Sequence, residues 1–484
     1  MNAPEVIKDK RTFFEKRKPV FPKAVDGYYR RLKWIVMVIT LGIYYITPWI
    51  RWDRGPYAPD QAVLVDLAGR RFYMFGIEIW PHEFYYVAGL LVMAGVGLFL
   101  VTSAVGRAWC GYACPQTVWT DVYQHIERWI DGDHNAQVRL QNAPWTTNKI
   151  ARRLFKWLIW LVIAIATGGA WIFYFADAPT LARQFISGEA PFVAYATVGI
   201  LTATTFILGG FMREQFCIYM CPWPRIQSAM MDENSLIVTY KDWRGEPRGS
   251  LKQVKNDPDN FGDCINCLQC VQVCPTGIDI REGPQIGCIT CALCIDACDQ
   301  VMEKIDRPRG LIDYITYEDA DRERAGEPTQ PAWKNLLRVR TILYFAVWAG
   351  IGLGMLFVLG NRTRLDIAVQ PDRNPIYVQL ADGDIRNSYD AKIRNMESRP
   401  RTMEISMSGL DQAVLWSARG SREAADRSVT VKVPADSVGK VRLFVAAPRE
   451  GAAKETFAFI VQAEDDRTAQ DSEEVFFERP GTDE

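Results

Sequence analysis

The stretch Cys264-Ile-Asn-Cys267-Leu-Gln-Cys270-Val-Gln-Val-Cys274-Pro275 recurs 24 residues later as Cys288-Ile-Thr-Cys291-Ala-Leu-Cys294-Ile-Asp-Ala-Cys298-Asp299. Soft thiolates at this tight spacing wrap a cube of iron and sulfide, and in two-cluster ferredoxins the fourth Cys of each run ligates the other cube. The spacing therefore predicts two [4Fe-4S] clusters. One would use Cys264, Cys267, Cys270 and Cys298, the other Cys288, Cys291, Cys294 and Cys274. Zinc fits less well, because zinc sites usually pair two short Cys-x-x-Cys units across a longer gap. Asp299 replaces the proline expected after the second run, which should weaken the turn there without removing a ligand. The pattern implies one-electron transfer on the side of a membrane where thiols stay reduced.

On either side of this region the chain is apolar in blocks. Residues 32–50, 84–103, 155–175, 192–211 and 339–360 approach the ~20 residues that cross a hydrocarbon core. None carries a charge at its centre, and several end in Trp or Tyr, as interfacial anchors do. They predict an integral membrane protein with an α-helical bundle of about five spans. The first apolar run starts too far along to be a cleaved signal and should remain as a span.

Ten basic residues (Lys8, Lys10, Arg11, Lys16, Arg17, Lys18, Lys23, Arg30, Arg31 and Lys33) and four acidic ones lead into the first span. Positive flanks stay inside, so segment 1–31 should be cytoplasmic, as should 212–338 with its ferredoxin domain. An odd number of spans then places the C-terminal domain in the periplasm of a bacterial inner membrane protein. Arg362 and Arg364, just after the fifth span, run against that assignment.

Beyond the fifth span, short β-branched runs at 365–369, 376–380, 391–393, 402–407, 429–433, 441–445 and 457–461 mostly alternate and are separated by turn residues. They predict an immunoglobulin-like β-sandwich over 361–465. It contains no Cys and so no disulfide. Residues 466–484 are acidic and patternless, and are expected to form a disordered tail.

The whole chain of 484 residues is 49% hydrophobic and 23% charged, with 56 basic and 57 acidic residues. That balance excludes a disordered chain and gives nucleic acid no electrostatic handle. Three His residues are too few for a His-built metal enzyme. His82 reads as structural, and His125 and His134 beside Glu127 and Asp131 read as a solvated polar face. Gly95-Val96-Gly97 lies inside a span rather than after a strand, so it is no nucleotide-binding loop.

The remaining four Cys form a second constellation. Cys110-Gly-Tyr-Ala-Cys114-Pro115 follows the second span and Cys217-Ile-Tyr-Met-Cys221-Pro222 the fourth, with Arg107 and Arg213 shortly before them. If the spans continue as helices, each pair shares a face with Cβ atoms about 6 Å apart, and the proline marks a helix end or kink. Such pairs could bind a soft ion, form a disulfide or exchange electrons. Two thiolates suit Cu(I), and the nearby arginine should lower the thiol pKa. The competing reading is that these are small buried hydrophobes.

These motifs together resemble the FixG/RdxA family of cytochrome c oxidase accessory proteins, also called CcoG. The resemblance rests on Arg107-Ala-Trp-Cys-Gly-Tyr-Ala-Cys-Pro-Gln-Thr-Val-Trp119, on Cys217-x-x-x-Cys221-Pro222 and on the doubled ferredoxin pattern. Arg309-Gly-Leu-Ile312 and Asn387-Ser-Tyr389 in the β-domain add to it. It implies a cupric reductase that serves assembly of a cbb-type oxidase, with Cys110, Cys114, Cys217 and Cys221 binding or reducing copper. It also implies oxidase subunits or copper chaperones as partners, and a cytoplasmic electron donor that the sequence does not identify. A quinol-dependent polyferredoxin and a non-enzymatic assembly scaffold are the alternatives, and an oligomer is compatible with either.

Overall fold

The computed structural model describes residues 19–480 apart from 57, 258, 331–333, 335–336 and 398. The basic residues from Lys8 to Lys18 therefore lie outside the described residues, as do 481–484. Within them, five helices are long and apolar enough to cross a membrane: Tyr28–Trp49, Pro81–Val105, Thr147–Ile172, Phe192–Met220 and Val339–Gly360. The third starts well before its apolar run because the Thr146 side chain accepts the Lys149 N–H and caps it. Between the first and second spans lie β1 (Val63–Asp66), β2 (Arg71–Met74) and β3 (Ile77–Ile79), too short to show as periodic runs.

The chain forms two compact units. The first holds four spans, the fifth span as far as Gly352, and the Cys-rich region. Its helix Pro115–Asp131 buries Asp121, Gln124, Glu127 and Asp131, which corrects the expectation of a solvated face around Glu127 and Asp131. Each acid has a cationic partner from a span. Arg30 donates to both Asp121 oxygens at 2.9 and 3.0 Å. Lys156 reaches Glu127 at 3.0 Å and Asp131 at 2.6 Å, and Arg213 reaches Glu127 at 2.7 Å. Buried charge is tolerated only when paired in this way. Burial opposes ionisation of Glu127, but Arg213 and Lys156 still hold its carboxyl below the ordinary value.

The Cys-rich region is closed by β4 (Ile237–Tyr240) pairing antiparallel with β5 (Ile312–Ile315). Val238, Ile280, Ile295, Met302, Leu311 and Ile312 form its core beside the cysteines.

The second unit contains the β-domain, with β6 (Leu365–Pro371), β7 (Val378–Gln379), β8 (Ile385–Asn395), β9 (Arg401–Ser408), β10 (Val414–Ser417), β11 (Ser428–Val433), β12 (Ser437–Ala447), β13 (Lys454–Ala463) and β14 (Asp466–Glu478). One sheet runs β10-β12-β8-β6 with β7 on β8, and the other runs β11-β9-β13-β14. Alternate residues of β8 and β9 point inward, so two faces bury one core of Ile385, Tyr389, Ile405, Leu443, Phe459 and Phe477. The Tyr389 hydroxyl donates to the Phe476 carbonyl at 2.8 Å and ties the sheets together.

β14 overturns the disordered tail. It pairs with β13 from Ala463↔Asp466 to Lys454↔Glu478. Its acids belong to a sheet edge, where charge discourages pairing with another chain, and only Val475 and Phe477 are fully buried along it. That inward pattern is too short to register beside so many acids.

Candidate metal centre

The 24-residue repeat is also a backbone repeat. Asn266 and Leu268 in the first loop have φ of 51° and 58°, and Thr290 and Ala292, the equivalent residues in the second, have 55° and 60°. Left-handed residues on both sides of Cys267 and Cys291 curl each loop around its sulfurs. Leu268 and Ala292 then start the helices Gln269–Gln272 and Leu293–Lys304. The second run has no turn after Cys298. With no proline at Asp299 the helix continues to Lys304, and the Asp299 carboxylate accepts the Gly310 N–H at 2.9 Å. The expected weakened turn is thus an uninterrupted helix.

The eight thiols gather in two groups. Cys298 lies within electrostatic reach of Cys264, Cys267 and Cys270, while Cys294 interacts most strongly with Cys291, Cys288 and Cys274. A small cavity is lined by Cys274, Cys288, Cys291, Cys294 and Cys270, with Ile278, Ile280 and Val238 around them. Burial pushes the Cys270 and Cys291 thiols up to about 12 and raises Cys294 well above its ordinary value. Buried thiols of this kind ionise only against a bound cation. The donor set fits iron–sulfur clusters: soft, repeated and sheltered apart from the exposed Cys267, with no disulfide among the twelve Cys. Among the described residues, no three Cys, His, Asp or Glu side chains converge at single-ion spacing, neither among these eight thiols nor among Cys110, Cys114, Cys217 and Cys221.

The second constellation departs from continuous helices. The second span ends at Val105, and Gly106 turns the chain with φ 64°. A side chain there would sit 2.2 Å from the Leu236 carbonyl. Cys110 lies on a separate short helix, Ala108–Tyr112, and Cys114 precedes the helix that begins at Pro115. The fourth span instead widens into π-helical turns at Phe206–Met212 and Phe216–Met220, and Cys221 is extended. The sequence duplication is therefore not a backbone duplication. The structure still brings all four thiols together: Cys217 is within electrostatic reach of Cys114, Cys110 and Cys221. Arg107 does not win at Cys110, because burial outweighs it and raises the thiol to about 11.

The first of these motifs packs on the second ferredoxin loop. Cys110 shares a core with Ile289, Cys291, Leu293 and Ala297. A Cβ on Gly111 would meet the Ile289 carbonyl at 2.7 Å and Cys291 Cα at 3.0 Å. The Tyr112 hydroxyl donates to the Cys291 carbonyl at 3.1 Å.

Three family profiles match the chain: a 4Fe-4S dicluster domain over residues 212–317, a 4Fe-4S binding domain over 87–131, and the IG-like fold at the C-terminus of FixG over 355–480. Protein RdxA of Cereibacter sphaeroides is 54% identical, covering 90% of this chain and 90% of its own. The nitrogen fixation protein FixG of Rhizobium meliloti is 52% identical, covering 97% of this chain and 94% of its own. The chain belongs to the FixG/RdxA family. It is an iron–sulfur electron-transfer membrane protein with ferredoxin-type 4Fe-4S domains and an immunoglobulin-like C-terminal domain.

Some residues that shape this FixG/RdxA centre were not singled out from the sequence. Gln227 is fully buried and accepts the Cys110 Sγ hydrogen at 2.9 Å. Asp296, between Cys294 and Cys298, accepts the Tyr29 and Arg30 N–H groups at 3.2 and 2.8 Å. It caps the first span and satisfies donors that a helix start leaves free. No local signal marks Gln227. Asp121, Gln124, Glu127 and Asp131 recur every three or four residues along one helix face, a polar stripe that by itself reads as solvated.

Proposed function

We propose that this FixG/RdxA chain is a CcoG-type cupric reductase, reducing Cu(II) to Cu(I) for assembly of a cbb-type cytochrome c oxidase. The observation that carries this reading is the seating of Cys110, Gly111 and Tyr112 directly on the Cys291 loop. Cys264, Cys267, Cys270 and Cys298 would hold one cluster, and Cys274, Cys288, Cys291 and Cys294 the other. When bound, such clusters supply single electrons, which matches the one-electron reduction of copper. Cys110, Cys114, Cys217 and Cys221 are the soft donors that would hold the ion and favour the Cu(I) product. Gln227 orients Cys110 through its sulfur.

In this reading the N-terminal segment and ferredoxin domain face the cytoplasm, with the β-domain in the periplasm. The basic flank of the first span supports that orientation. The β-domain would then meet immature oxidase subunits or a copper chaperone. The test is anaerobic Cu(II) reduction by the intact protein and by variants lacking either Cys pair.

A second reading of the same four thiols has its own support. The 4Fe-4S binding profile over 87–131 contains Cys110 and Cys114, and Cys217 and Cys221 complete a four-thiol set. They would then hold a third cluster. Iron content distinguishes the two readings, at about eight or about twelve atoms per chain.

A further inference from the structure

Arg107 stands beside both Cys constellations. It lies three residues before Cys110 and lines a cleft of about 440 Å³ together with Gln285, Ile286, Cys288 and Thr290 of the second ferredoxin loop. Its guanidinium donates to the Ile286 carbonyl at 2.6 Å, two residues before Cys288, and the residue is only 5% exposed. Its charge is felt at Cys110 and at Cys288, where it opposes the upward push of burial on each thiol. Arg30, Lys33, Lys156 and Arg213 are also buried, but each has a carboxylate partner. Among the described residues Arg107 has none, and its Nε lacks any hydrogen-bond partner. The acids of the cleft do not cancel it. Asp232 pairs with Arg338 and Arg340 at 2.6 and 2.8 Å, and Glu233 is exposed. An unpaired buried cation is costly, and the anions available to this one are the thiolates on either side of it.

We propose that Arg107 sets the reduction potential of the second cluster, the one assigned to Cys274, Cys288, Cys291 and Cys294, by placing an unneutralised positive charge against it. Taking up an electron adds negative charge to a cluster, and burial disfavours that charge. The second loop is the more enclosed, with Cys291 buried, whereas Cys267 of the first is exposed. Burial alone would push the second cluster below the first, and electrons entering at the exposed first loop would stop there. Arg107 opposes this from the Cys288 side. Lys33 adds to it from the Cys291 side, since Lys33 and Arg30 share the single carboxylate of Asp121. The first group faces Asp299 and Asp279 instead, the latter paired with Arg281. An electron that moves from the first cluster to the second oxidises one as it reduces the other, with no bond broken and no proton released. Arg107 is thus a positioning residue, whose charge acts on the cluster and not on a substrate. The inference rests on the cluster assignment and is independent of copper.

The test is a dye-mediated redox titration of the full-length protein, prepared anaerobically in detergent and followed by EPR. The second cluster is identified as the signal that Cys291→Ser removes or converts. Arg107→Gln keeps an N–H for the Ile286 carbonyl and loses the charge. It should make the second cluster at least about tenfold harder to reduce, a fall of about 59 mV for one electron. The first cluster and the iron content should stay near parental values, and Arg107→Lys should restore most of the parental potential. Ser228→Asp leaves Arg107 in place and adds a carboxylate at an exposed position of the same cleft. It should lower the same potential by a smaller step, and it decides the matter if Arg107→Gln does not assemble. Parental potentials in the assembled variants, an equal fall at both clusters, or a fall in Arg107→Lys as large as in Arg107→Gln would overturn the inference. Parental potentials measured on two intact clusters would leave the cluster assignment standing, whereas a parent protein holding stoichiometric zinc without sulfide would sink that assignment and the inference with it.

Discussion

Tyr112 donates its hydroxyl hydrogen to the backbone carbonyl of Cys291 at 3.1 Å, so a residue inside the first Cys-x-x-x-Cys-Pro motif holds the loop of a cluster ligand. Gly111 beside it leaves no room for a side chain against that loop. The two constellations are one packed unit.

Gly111→Val should therefore damage the second cluster more than the first. Its side chain would have to displace the Ile289 carbonyl, and overpacking of this kind costs about 1–3 kcal/mol. The expected result is an altered or missing EPR signal from one cluster with the other retained. Tyr112→Phe removes a single hydrogen bond worth about 1 kcal/mol and should keep both clusters.

Cys267→Ser and Cys291→Ser should each remove or convert one cluster. Cys267 lies in the group containing Cys298, and Cys291 in the group containing Cys274. The EPR signals lost should accordingly differ between the two variants. Stoichiometric zinc without sulfide in anaerobic wild-type protein would contradict the assignment.

The buried ion pairs set an acid limit on stability. Glu127 is held below its ordinary carboxyl value by Arg213 and Lys156 despite its burial. Its contribution is present above the unfolded value near 4.5 and is lost as pH falls through the lower folded value. Thermal midpoints in detergent should fall below about pH 4.5. Lys156→Met should reduce that slope only in part, because Arg213 still pairs Glu127, and cost about 3–5 kcal/mol at neutral pH, because it strands the buried Asp131.

The proposed topology is open to thiol labelling. A Cys placed at Asp465, in the turn between β13 and β14, should react with an impermeant maleimide from the periplasmic side. One at Lys255, on the short helix Leu251–Asn256 before the first ferredoxin run, should react only after the membrane is opened. The reverse pattern would invert the orientation drawn from the basic flank.

Much of this architecture was legible because it is written in period and spacing. The five apolar blocks became five long helices, and the offset of 24 residues between the Cys runs returned as paired left-handed residues at Asn266 and Thr290, Leu268 and Ala292. What escaped depended on contacts between distant segments. Asp121, Glu127 and Asp131 look like solvent-facing acids until Arg30, Lys156 and Arg213 arrive from three different spans. β14 looks like a polar tail until β13 supplies its hydrogen bonds. Even the helical periodicity assumed at Cys110 and Cys114 fails, because Gly106 turns the chain at the end of the second span and Cys217 sits in π-helical turns rather than α-helical ones.

The most direct measurement is anaerobic Cu(II) reduction by dithionite-reduced, desalted protein, comparing wild type with Cys217→Ser/Cys221→Ser and with Cys110→Ser/Cys114→Ser. Iron is determined on the same samples. Loss of copper binding and reduction in both variants, with iron near eight atoms per chain throughout, is the expected result. Reduction at the wild-type rate in both variants would contradict a copper site on these thiols, and a fall in iron from about twelve to about eight would assign them to a third cluster instead.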